Sequence, residues 1–122
     1  MDNKKKTVLV VSRHPHLEDV RKHVLEEAGY QVITIRNPEQ VEEAGKNHKI
    51  DLAVIGYSVT AAEKRLIAAE CVMFCKCPIL ELWDREPPQI RGGSDHVFDH
   101  FSLQPEDFLK TVHSIFKGTA SE

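Results

Sequence analysis

Arg13, His14, His16 and His100, and a separate trio of Cys71, Cys75 and Cys77, are the side chains through which this chain could bind or transform something. A guanidinium beside imidazoles suits an anion. A phosphate or carboxylate would be held by Arg13, His14 and His100, with the backbone N–H groups around Gly56 and the start of a helix after Thr60. The plainer alternative pairs Arg13 with a nearby acid or leaves it in solvent. Imidazole also suits zinc or nickel, which makes His14, His16 and His100 one candidate ligand set. The cysteines are another, with Cys71 and Cys75 spaced i, i+4 on one helical face. Neither set has zinc-finger spacing and the cysteines lack a fourth ligand, so no metal and no cofactor are expected. The cysteines then read as small core residues at the end of an apolar helix. A cysteine nucleophile needs a partner base, and His48 and His113 have no reason to converge on the trio, so catalysis is the weakest reading.

The elements that position these residues follow from periodicity. Thr7–Val11 is an unbroken apolar run, the pattern of a parallel strand buried on both faces. Residues 17–29 place Leu17, Val20, Val24, Leu25 and Ala28 at helical spacing, with Glu18, Asp19, Arg21, Lys22, Glu26 and Glu27 on the other face and Gly29 as the stop. Gln31–Ile35 is a second strand, and Asn37-Pro38 opens a second helix with Asn37 as N-cap, Val41 and Ala44 on its apolar side, and an end near Gly45. Leu52–Ile55 is a third strand that ends at Gly56. Thr60 and Glu63 form a capping box for a helix running to about Phe74. Residues 78–82 are a fourth strand and 96–101 a fifth. Pro105 starts a last helix with Phe108, Leu109, Val112, Ile115 and Phe116 on one face. Between the last two strands, residues 84–95 hold Pro87-Pro88 and Gly92-Gly93, too short and too rich in breakers for a full crossover helix.

Alternating strands and helices imply right-handed crossovers and a parallel sheet covered on both faces. We expect a three-layer α/β domain of the flavodoxin-like class, five parallel strands in the order 2-1-3-4-5, with a shortened or missing fourth helix. The 122 residues make one domain, residues 5–118, with flexible termini at 1–4 and 119–122. A net charge of −3 gives no electrostatic footprint for nucleic acid or an anionic membrane. No run approaches the roughly 18 apolar residues of a membrane span, and the basic start is followed by too short an apolar run for a signal peptide. Three cysteines cannot all pair, which argues for a reducing compartment, the cytoplasm.

Thr7 to Val32, including Pro15 and Leu25-Glu26-Glu27-Ala28-Gly29-Tyr30-Gln31-Val32, resembles the opening of a bacterial response-regulator receiver domain. Asp51-Leu52-Ala53-Val54-Ile55 is similar to that family's third strand and Pro78-Ile79-Leu80-Glu81-Leu82 to its fourth. Gly93-Ser94-Asp95 resembles the turn before its fifth strand, and Pro105-Glu106-Asp107-Phe108-Leu109 the start of its last helix. The resemblance spans roughly residues 5–117 and lies in order and spacing rather than in any single motif. It implies chemistry at the C-terminal ends of the strands: an acidic pair holding Mg²⁺, a phosphate-accepting aspartate, a hydroxyl residue and a lysine. On this chain the acidic pair falls on Ser12 and Arg13, the acceptor on Gly56, the hydroxyl residue on Trp83 and the lysine on His100. The proline after that lysine falls on Phe101.

All five functional positions have changed type. Asp51 is no substitute, because it begins the third strand, about 15 Å from its far end at roughly 3.3 Å per residue. The altered pocket is expected to hold Arg13, His14 and His100 and no carboxylate, with Trp83 as a candidate to fill it. The resemblance also implies a contact surface around the fourth and fifth strands, where Trp83, Phe98, Phe101 and Leu103 are candidate anchors unless they are ordinary core. The sequence therefore reads as a receiver-like domain, not an enzyme, in bacterial signal transduction. It would act through a protein partner (a sensor kinase, an effector or a second copy of itself) without phosphorylation. The competing reading is a sensor of an anion or nucleotide in the same pocket, although Ser12-Arg13-His14-Pro15-His16 contains no glycine for a phosphate loop.

Overall fold

The computed structural model describes residues 6–13, 15–56, 59–83, 97–101 and 105–120, with the backbone alone for 15–18, 97–101, 105–106 and 118–120. The expected loop at residues 84–95 lies outside the described residues. Five parallel strands, β1 (Thr7–Val11), β2 (Gln31–Ile35), β3 (Leu52–Ile55), β4 (Ile79–Trp83) and β5 (Val97–Phe101), form one sheet in the order β2-β1-β3-β4-β5. The central strands β1 and β3 are buried at every residue, as continuous apolar runs require. The flavodoxin-like topology is as expected.

Helices α1 (Pro15–Glu27) and α4 (Pro105–Ala120) cover one face, and α2 (Glu39–Asn47) and α3 (Ala61–Glu70) the other. Strand alternation divides the core between them. Val8, Val10, Leu52, Val54, Leu80 and Leu82 pack with Leu25, Phe108, Val112, Ile115 and Phe116. Leu9, Val11, Ala53, Ile55 and Ile79 pack with Val41, Ala44, Ile67, Ala68 and Cys71. Gly29, at φ +100°, stops α1 as expected. The N–H groups of Gly29 and Tyr30 bond back to Glu26 O and Leu25 O, both at 3.0 Å, which satisfies carbonyls of the last turn.

Three local expectations are corrected. The inward face of α1 carries Arg21 and Leu25, while Val20 is 36% exposed and Ala28 also faces solvent. Pro38 rather than Asn37 is the N-cap of α2, without a side-chain cap. Instead Gln40 Oε1 reaches back to accept from Arg36 N at 2.8 Å and Asn37 N at 3.3 Å. The segment after α3 is a π-helical turn, Cys71–Cys75, rather than a continued α-helix.

Candidate functional site

The end of β3 lies beside the end of β1: Val11 and Ile55 are register partners, and Gly56 N donates to Val11 O at 2.8 Å. Ser12 is 1% exposed, with its N–H bonded to Ile35 O at 3.3 Å. Further along the same edge, Leu82 pairs with His100 and Trp83 with Phe101. The structure therefore brings the backbones of Ser12, Gly56, Trp83 and His100 to adjoining strand ends. Trp83 is partly buried. For His100, Phe98 and Phe101 only the backbone is described, and His14 and Leu103 lie outside the described residues.

What meets Gly56 was not anticipated. Arg21 of α1 is 6% exposed, and a β-carbon built on Gly56 would lie 2.7 Å from its Nη1 and 3.2 Å from Val11 O. A guanidinium from α1 thus occupies the space into which any side chain at position 56 would project. Helical periodicity assigns Arg21 to solvent on polarity alone. The signal that could have found it is position: Arg21 stands four residues from both Leu17 and Leu25, in the middle of the apolar stripe.

The cleft is also not free of carboxylates. Thr60 caps α3 by accepting from Glu63 N at 3.3 Å, and the Glu63 carboxylate pairs with Arg13 Nη2. Arg13 is thus held by an acid 50 residues along the chain, the plainer of the two outcomes expected for it. Deeper, on the α3 side of the sheet, Lys64 Nζ meets Glu81 Oε2 at 2.9 Å and Leu82 O at 3.2 Å, with the two side chains 6% and 0% exposed. An acid in the apolar strand Ile79-Leu80-Glu81-Leu82 requires a cation, and Lys64 stands three residues before Ile67 on the inward face of α3. That pair was legible in principle and was missed.

These residues do not fit a Mg²⁺ ion, which wants several hard oxygen ligands around an open octahedral site. Serine, arginine and glycine stand at the three relevant positions, a guanidinium lies against Gly56, and the nearby acids Glu63 and Glu81 are paired with cations. Asp51 sits at the opposite edge, where its Oδ2 accepts from Thr7 N at 2.8 Å. Among the described residues, no three His, Cys, Asp or Glu side chains are grouped to hold a metal, and no helix is long and apolar enough to cross a membrane.

No family model matches the sequence, and no curated protein matches it. Solved structures do match. The signal receiver domain of an HD domain-containing protein from Pseudomonas fluorescens Pf-5 superposes with a TM-score of 0.80 at 13% identity, covering 98% of this chain and 100% of that one. A CheY-like receiver domain protein from Methanospirillum hungatei JF-1 gives 0.76 at 16% identity, covering 98% and 100%. A response regulator from Thermotoga maritima gives 0.74 at 19%, covering 93% and 99%. Identities this low speak for the fold alone, and on that ground the chain has the CheY-like, flavodoxin-like fold of receiver domains.

Proposed function

We propose that this chain is a bacterial, cytoplasmic signalling domain of the receiver type that works through protein–protein contact and not through aspartyl phosphorylation. The observation that carries the reading is the Arg21 guanidinium lying where a side chain at Gly56 would stand. A receiver that takes a phosphoryl group needs a carboxylate nucleophile there and a divalent cation beside it. This chain offers a glycine and a buried cation. Arg13 and Lys64 are likewise engaged within the chain, each by an acid of its own.

The partner surface is assigned to the β4–β5 side, where β5 is the edge strand and Trp83 and Phe101 are register partners at its C-terminal end. The partners that fit are a sensor kinase, an effector or a second copy of the chain. The reading as an anion sensor rests on two guanidinium groups, Arg13 and Arg21, flanking Ser12 and Gly56. An anion would have to displace Glu63 from Arg13, so phosphate or a nucleotide would raise the melting temperature only under the sensor reading.

The deciding experiment is an amide NMR titration with Mg²⁺ followed by beryllofluoride, a phosphoryl mimic. The expected result is no saturable shift at Ser12, Arg21 or Gly56. Saturable shifts there would mean that the site still reads a phosphoryl group, and the proposal would fall.

A further inference from the structure

The two helices on one face of the sheet, α2 and α3, differ in what they present to solvent. Every exposed residue of α2 is polar: Glu39, Gln40, Glu42, Glu43, Lys46 and Asn47. In α3 the inward side takes Lys64, Ile67 and Ala68, and the exposed side takes Ala62, Arg65, Leu66 and Ala69. The π-helical turn extends that apolar side with Val72 and Met73. Leu66, Val72 and Met73, at 49%, 59% and 63% exposure, are three of the four large apolar side chains that stand exposed among the described residues. Scattered singly, such residues need no explanation. Gathered along one helix, they mark a surface that something covers.

The pattern on that face says what covers it. Ala62, Leu66 and Ala69 recur at spacings of four and three, the repeat by which two helices run side by side. The two alanines on either side of Leu66 let a second helix approach closely. Arg65 stands immediately before Leu66 and Glu70 immediately after Ala69, one on each flank of the seam. Arg65 is exposed, Glu70 is partly exposed, and neither is ion-paired among the described residues. Their separation of five is the one at which opposite charges on the two flanks meet across a parallel pair, Arg65 of one helix reaching Glu70 of the other. Two-fold symmetry makes that contact twice, so the face is complementary in charge to itself. An antiparallel pair would bring Glu63 and Glu70 of opposite copies together and leave Arg65 without an acid. Beyond Glu70 the π turn alters the helical repeat, so Val72 and Met73 widen the seam rather than continuing it.

We propose that the outer face of α3 is a docking surface for a second copy of this chain, paired in parallel about a two-fold axis with Leu66 at its centre. The surface lies on a different element from the β4–β5 side and does not rest on the absence of phosphorylation. One face of a short helix makes a small interface, so the dimer is transient and forms as concentration rises. The inward side of α3 is already held by the core and by the Lys64–Glu81 pair, so pairing leaves the sheet undisturbed.

The test is sedimentation equilibrium of the full chain from about 10 μM to about 1 mM, the range in which so small a contact associates. The mean mass should rise from that of a monomer toward twice that value. Leu66→Lys should hold it at the monomer throughout, with an unchanged circular-dichroism melting curve because position 66 is exposed. Arg65→Glu alone and Glu70→Arg alone should each weaken dimerisation about tenfold, since each sets like charges together twice. The double exchange, Arg65→Glu with Glu70→Arg, should restore it to within about threefold, a rescue that a merely adhesive apolar patch would not show. The proposal is overturned if the chain stays monomeric at the top of that range, if Leu66→Lys associates as the native chain does, or if the double exchange gives no rescue. A dimer that survives Leu66→Lys and is lost in Trp83→Ala would put the second copy on the β4–β5 side: this inference would fall and the reading of that side would stand.

Discussion

At the C-terminal ends of the strands two cations meet acids, Lys64 with Glu81 and Arg13 with Glu63, and Arg21 fills the space beside Gly56. At the N-terminal ends, Cys71 and Cys77 are buried in the apolar core and Cys75, partly exposed, packs against it. A receiver-like sheet ordinarily places its ligand chemistry at the first of these edges. In this chain the described cations of that edge are matched by acids or packed against backbone, and the three cysteines lie at the second. The contrast teaches that an architecture does not fix which of its edges is chemically available. The side chains that helices project over each edge decide that.

The largest effect that would test this contrast comes from Lys64. Replacing it with alanine strands a fully buried Glu81 carboxylate, and breaking such a pair costs about 3–5 kcal/mol. Urea denaturation should register that loss, and the double variant Lys64→Met with Glu81→Leu should regain most of it. An unchanged midpoint in Lys64→Ala would show that the pair does not hold α3 to the sheet. Next in size is Gly56→Ala, whose β-carbon must displace the Arg21 guanidinium and crowd Val11 O, a cost of about 1–3 kcal/mol. Combining it with Arg21→Ala should recover part of that loss, so the two changes should be non-additive. Strict additivity would mean that the guanidinium does not occupy that space in solution. The smallest effect is expected at the cleft mouth: Arg13→Ala should cost no more than about 1 kcal/mol and should lose even that in high salt, because both side chains of this pair are substantially exposed.

The fold was legible because it depends on where apolar runs fall. Val8 to Val11 and Leu52 to Ile55 have to be central strands, and the Phe108, Val112, Ile115 and Phe116 stripe has to face them. Gly56 was legible for the same reason, as the residue on which a buried run ends. Arg21, Lys64 and Glu81 were missed, because periodicity sorts residues by polarity and each of these polar groups is buried. Its environment is set by a counterpart or a cavity on another element, which a local window does not contain. The course of the cysteine segment escaped for a geometric reason. An ordinary α-helical reading ends the helix near Phe74, whereas a π turn carries it through Cys75 to a left-handed Lys76, and Cys77 leads the chain into β4.

The contact between Arg21 and Gly56 also sets the order in which this domain could be re-engineered. Placing an aspartate at position 56 in one step would set a carboxylate against a buried guanidinium, giving a neutral internal pair in place of a nucleophile. A designer seeking a phosphate-accepting version must therefore begin on α1, by shortening Arg21, and only then change the strand and supply acids at positions 12 and 13. The route is directional: the same substitutions made in reverse order pass through variants that gain nothing along the way.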